Sequence, residues 1–302
     1  MKNQTIGVEI EMTGISRSDA ARAVAKYFGT KAEYIGGAYN ACQAKDGEGR
    51  IWKLMRDTSI KAEERDWEDE NKIVAAHGDS NQVELVTPIL TYGDIETLQE
   101  VVRTLRKAGA FVNETCGLHV HIGAEKFTAA TLRNLVNAVA SKEDLIYKAL
   151  QVPESRKERY CEPTNQRFLA ELNEQKPASL EAFKEIWYDG NPARANRHYD
   201  ESRYTILNLH SFFNKGTVEF RVFNATLHAG EVKAYIQFCL ALTAQALKTQ
   251  KAIYRPTETD NPKYSFRCWL LRLGLNGDEF KTCRLHLLKN LEGDAAWRRA
   301  TA

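Results

Sequence analysis

Four short segments of this chain alternate apolar and charged residues with a period of two, and that pattern constrains the fold more than any other feature. They are Val8-Glu9-Ile10-Glu11, Val83-Glu84-Leu85-Val86, Leu118-His119-Val120-His121-Ile122 and Val218-Glu219-Phe220-Arg221-Val222. Successive side chains of a strand point to opposite faces. Each segment therefore predicts a strand with one apolar face and one face carrying carboxylates, imidazoles or a guanidinium.

Amphipathic helical patterns separate these strands. Ser18-Asp19 opens a helical run through Phe28 that Gly29 closes. Residues 92–108 repeat apolar side chains at helical spacing and stop at Gly109, and Thr128 opens a helix predicted to run to about Leu150. Further helices are predicted near 179–188, 230–247, 264–273 and 278–291. Residues 51–57 and 82–90 read as strands, residues 32–48 as a hairpin or irregular strands, and the charged stretch 63–72 as a loop or exposed turn. Residues 204–227 predict two strands joined at Asn214-Lys215-Gly216. Strands cluster without regular βαβ alternation, which favours an α+β fold with helices packed on one face of a mostly antiparallel sheet.

At 302 residues the chain is long enough for a substantial core. Forty-two basic against forty acidic residues give a formal charge of +2 and no long basic stripe, so nucleic acid is not expected as the main partner. No signal peptide and no membrane span are visible. The six scattered cysteines form no Cys-x-x-Cys pair and read as reduced thiols. A cytoplasmic location is expected.

Taken singly, a Glu-x-Glu, His-x-His or Glu-x-Arg strand is an ordinary solvated or ion-paired face. Together they are harder to dismiss, because glutamate is a poor strand former and carboxylates directly opposite one another repel. A sheet face that collects several carboxylates demands cations. Carboxylates with one or two histidines suit a hard ion such as Mg²⁺ or Mn²⁺, and several such ions would suit a nucleoside triphosphate. Arg221 and Arg203 could hold phosphate through forked hydrogen bonds. No P-loop motif is present, so phosphate binding of that type is excluded.

Five pieces in order resemble the motifs of the putative amidoligase family, within the glutamine synthetase and γ-glutamylcysteine ligase superfamily. They are Gly7-Val8-Glu9-Ile10-Glu11-Met12; Trp52-Lys53 followed by Asp57-Thr58-Ser59; Val83-Glu84-Leu85-Val86-Thr87-Pro88; Cys116-Gly117-Leu118-His119-Val120-His121; and Val218-Glu219-Phe220-Arg221-Val222-Phe223-Asn224. The resemblance implies a glutamine-synthetase-like catalytic domain over residues 1–250, with a curved antiparallel sheet, helices on its outer face, and ATP with two or three magnesium ions on its concave side. Residues 152–203 would be a lid or substrate-binding segment, and residues 251–302 a C-terminal helical extension. The resemblance implies metal ligation by Glu9, Glu11, Glu84, His119 and Glu219, and ATP contacts from His119, His121, Lys53 and Arg221. It implies phosphate binding by Arg221 and Arg203, and an acceptor-side role for Asp57 and Ser59, with Asp57 as candidate base. Thr58 stands where the family's motif has glycine.

The implied reaction joins a carboxylate substrate to an amine substrate through an acyl phosphate formed at the expense of ATP. Two other readings remain open on sequence. His119-x-His121 with Glu125 is compatible with a metal-dependent hydrolase or oxygenase, and the same fold could serve a non-catalytic ligand-binding protein. Neither the substrates nor the oligomeric state can be read from the residues.

Overall fold

The alternation in residues 6–12 is realised as β1 (Ile6–Met12), whose Ile6, Val8, Ile10 and Met12 are at most 2% exposed while Glu9 stays half-buried. The computed structural model describes residues 1–297. After β1 come α1 (Arg17–Phe28), β2 (Glu33–Gly36), β3 (Ala41–Lys45), β4 (Ile51–Met55), β5 (Glu63–Arg65), β6 (Ile73–Ala75), β7 (Val83–Val86), α2 (Ile95–Lys107) and β8 (Gly117–Gly123). The chain continues through α3 (Ala129–Ala140), α4 (Glu143–Leu150), α5 (Glu154–Arg159), α6 (Gln166–Gln175), α7 (Leu180–Trp187), β9 (Leu207–Asn208), α8 (His210–Lys215) and β10 (Thr217–Asn224). Helices α9 (Ala229–Lys248), α10 (Pro262–Arg272) and α11 (Lys281–Leu288) follow.

Hydrogen-bonded neighbours in the large sheet run β2-β3-β4-β7-β1-β8-β10-β9, an open order with two ends and no closed barrel, and β5 pairs with β6 in a separate hairpin. The pairs β2–β3, β3–β4, β4–β7, β1–β7 and β9–β10 are antiparallel. The architecture is thus a large antiparallel sheet with packed helices, as the clustering of strands suggests.

The chain divides into two compact units. Residues 5–120 with 223–233 form the first; residues 1–4, 121–222 and 234–297 form the second. The division falls within β8, between Val120 and His121. In the first unit α1 packs on β3 and β4 and against α2. The Phe28 ring of α1 sits 5.4 Å from the fully buried Trp52 of β4. Trp52 pairs with Ala44, so this is the sheet's apolar face, and Lys53 points to the other. In the second unit Phe168 of α6 packs edge-on against Trp187 of α7, and Phe238 of α9 meets Phe266 and Trp269 of α10.

Several boundaries differ from expectation. Ser16, not Ser18, caps α1 by accepting from Asp19 N–H, while Gly29 closes it in the left-handed conformation at φ 70°, as expected. The predicted loop at 63–72 opens with a strand, because Glu63-Glu64-Arg65 pairs with Ile73-Val74-Ala75 around a turn whose amides bond Asp66 and Asp69. The helix predicted from Thr128 to Leu150 breaks after Ala140. There the Ser141 hydroxyl bonds back to the Asn137 carbonyl, and the Ser141 carbonyl and hydroxyl bond residues 255–257. The two strands expected in 204–227 are β9 and β10, with α8 between them. Gly216 at φ 73° is the cap of that helix and not a hairpin turn. None of the six cysteines, all among the described residues, is in a disulfide. Among the described residues no helix is long and apolar enough to cross a membrane.

Candidate active site

The register of β1 against β7 puts Glu11 directly opposite Glu84, and Glu9 opposite Val86. From β7 the rows continue onto β4, where Met55 faces Glu84 and Lys53 faces Val86. Directly paired residues share a face. The first unit therefore carries two polar rows, Glu11–Glu84–Met55 and Glu9–Val86–Lys53, on the side away from α1. Lys53 is exposed at the outer end of its row.

His119 reaches both rows. Its Nδ1 lies 3.2 Å from Glu9 Oε2 and its Nε2 3.9 Å from Glu11 Oε1. Glu11 is 5% exposed and also accepts from the Gly117 amide at 2.6 Å. Two ligand sets result. One potential ligand atom each from Glu9, Glu84 and His119 lies within 4.8 Å of the others, and so does one each from Glu11, Asp57 and Glu84.

Asp57 follows β4, and its Oδ1 accepts from the Ser59 amide at 2.7 Å and the Ser59 hydroxyl at 2.6 Å. This Asx turn aims the carboxylate at the Glu11–Glu84 pair. Sequence reasoning placed Asp57 and Ser59 on the acceptor side and gave Asp57 no part in a ligand set. The Asp-x-Ser spacing was the available signal, since it lets one side chain fix the other.

The second unit carries His121, Glu219 and Arg221. Glu219 and Arg221 share a face of β10, and Arg221 Nη1 donates to Glu219 Oε1 at 2.5 Å with both side chains almost fully buried. The other Glu219 oxygen accepts from Asn208 Nδ2 at 2.6 Å, Asn208 being its direct partner on β9. His121 Nε2 lies 3.9 Å from Glu219 Oε1. Its Nδ1 sits 3.0 Å from Thr217 Oγ1, which bonds Ser211 in turn.

Arg221 Nε donates to the Tyr160 carbonyl at 3.4 Å, and its guanidinium carbon stands 5.8 Å from the centre of the Tyr204 ring. The Arg203 guanidinium approaches the same ring at 5.5 Å. The two arginines expected to bind phosphate thus meet around one tyrosine. Asn208, Thr217, Tyr160 and Tyr204 were not legible as contributors, because each acts through a contact that only the tertiary fold creates.

The donor sets fit a hard divalent cation. They consist of carboxylate oxygens with a single imidazole, and they juxtapose like charges that a cation would relieve. Fold and site together define an antiparallel-sheet protein with packed helices whose strands carry largely buried carboxylates beside histidines. A family model described as putative amidoligase enzyme matches residues 2–243. The chain belongs to that family. A search among curated proteins found no match.

Proposed function

We propose that the protein is an ATP-dependent carboxylate–amine ligase of the glutamine-synthetase-like type, working with Mg²⁺ or Mn²⁺ in the cytoplasm. The observation that carries the reading is the direct opposition of Glu11 and Glu84, with Asp57 as a third carboxylate beside them. Such a face is costly for a structural sheet and natural for a metal–nucleotide platform.

Glu9, Glu84 and His119 would hold one ion, Glu11 and Asp57 with Glu84 a neighbouring one, and Glu219 a further one. Bound there, an ion would supply positive charge that offsets the charge of a nucleoside triphosphate. Arg221 is held in one orientation by Glu219 and the Tyr160 carbonyl, and Arg203 by contact with Tyr204. Both would stabilise charge on the phosphoryl group in transfer. The substrate carboxylate oxygen attacks the γ-phosphorus and ADP leaves. The amine nitrogen then attacks the acyl carbon, inorganic phosphate leaves, and the nitrogen passes its proton to an acceptor-side carboxylate.

An acyl phosphate is an electrophile that small nucleophiles intercept. Hydroxylamine in place of the amine should yield a hydroxamate with one ADP per product, measured across pools of amino acids, dicarboxylates and peptides. Amide cleavage without ATP, and no hydroxamate from any pool, would establish the hydrolase reading instead.

A further inference from the structure

The second unit contains a cavity of about 340 Å³ whose lining includes none of the site residues assigned above. That volume is at the lower end for small-ligand pockets. It is bounded by α3, α6, α7 and the segments around 162–165 and 201–207. Its aromatic wall is Trp187, set edge-on to Phe168 at 5.0 Å and oriented by a bond from its indole N–H to the Ser202 hydroxyl at 3.2 Å.

The charged lining comprises Glu162, Glu171, Asp189 and Glu201 against Arg167 and Arg194. Both arginines are already matched. Arg194 clamps the buried Asp200 through two bonds of 2.9 and 2.8 Å, and Arg167 pairs with Asp189 at 2.9 Å. The lining therefore carries four carboxylates against two guanidiniums, and Arg194, which also acts on Glu201, is already shared with Asp200. Carboxylates in excess beside an indole and a phenyl ring make a receptor for an organic cation.

The cavity shares a wall with the arginine pair. Glu162 bridges Thr205 in parallel, its amide donating to the Tyr204 carbonyl at 2.8 Å. Two residues earlier, Tyr160 accepts from Arg221. We propose that this cavity recognises the alkylammonium portion of the acceptor amine, a group offered by a free diamine or by a lysine side chain. The assignment rests on the ligase reading above for its role in the reaction, but binding itself needs no nucleotide.

The test is titration of the full-length protein, without ATP, with 1,5-diaminopentane, with Nα-acetyl-lysine amide and with glutarate as an anion of matched length. The assigned Trp187 indole N–H resonance and calorimetry report binding. Both cations should shift that resonance, glutarate should not, and the tighter of the two cations identifies the source. Glu162→Gln and Glu201→Gln, both at exposed positions, should each weaken cation binding roughly tenfold. Trp187→Phe should weaken it by a smaller factor. Equal binding of glutarate, no binding of either cation at millimolar concentration, or affinity unchanged in both glutamine variants would overturn the assignment and leave the hydroxylamine result untouched. Selective cation binding in a protein that forms no hydroxamate would instead sink the ligase reading while the cation pocket stood.

Discussion

Glu219 and Arg221 are expensive residues to bury, since a charge pair taken out of water recovers its desolvation cost only with excellent geometry. The short Arg221–Glu219 contact and the Asn208 bond supply that geometry. Removing one partner should be worse than removing both. Glu219→Ala is expected to destabilise the protein by about 3–5 kcal/mol, because the buried Arg221 loses the carboxylate to which it donates. The double variant Glu219→Leu with Arg221→Met should recover most of that loss in urea denaturation, yet form no hydroxamate. Single and double variants of equal stability would show the pair to be energetically ordinary. At this scale the sequence was informative wherever a residue's chemistry depended on its own strand. Glu9, Glu11 and Glu84 could be placed on polar faces by alternation alone. Asn208 could not, because its bond to Glu219 depends on the register of a two-residue strand.

Among the elements, α2 shows how a helix start is tied to a distant turn. Asp94 closes a capping box with Thr91 and accepts from Arg50 at 2.9 Å, where Arg50 lies in the β3–β4 turn. The Arg50 guanidinium, outweighing burial and aided by Thr91, holds the Asp94 carboxyl down at about 2, against 3.8 for an unperturbed aspartate. The folded state thus binds fewer protons than the unfolded state in that interval. The resulting stabilisation is complete above pH 3.8 and fades as pH falls towards 2. Asp94→Asn should lower stability at neutral pH and flatten this part of the acid limb in urea titrations run from pH 2 to 7. An acid limb identical to wild type would mean the Arg50 contact contributes nothing in solution. Helix ends of this local kind were legible: Gly29 and Gly109 both mark real stops. The break at Ser141 was not, since what stabilises it is the 255–257 segment more than a hundred residues away. The α8 helix was missed for a different reason. Six residues ending in Asn-Lys and followed by Gly216 satisfy a turn pattern as readily as a capped helix, and the bonds of Ser211 to Asn208 and Thr217 decide between them.

For the whole molecule the central expectation is ligand linkage. A nucleotide bound only by the native state stabilises it by mass action. ATP with Mg²⁺ should raise Tm more than ATP with chelator, and Glu84→Gln should lose that difference. The same variant should not lower the Tm of the metal-free protein, because it removes one member of the Glu11–Glu84 like-charge pair. A metal-free Tm several degrees lower would mark Glu84 as a structural residue. The sheet that presents these groups has a further consequence for how such a chain can change over generations. Each strand holds two messages interleaved at alternate positions, one written for the core and one for the chemistry. A single residue inserted between Val8 and Glu9 would shift the frame of the strand beyond it. Glu9 and Glu11 would turn towards the side packed by α1, and Ile10 towards the side of Lys53. Length variation is therefore admissible in the turn between β5 and β6 and forbidden inside β1, so that related chains would differ in size at their turns while keeping their strands to the residue.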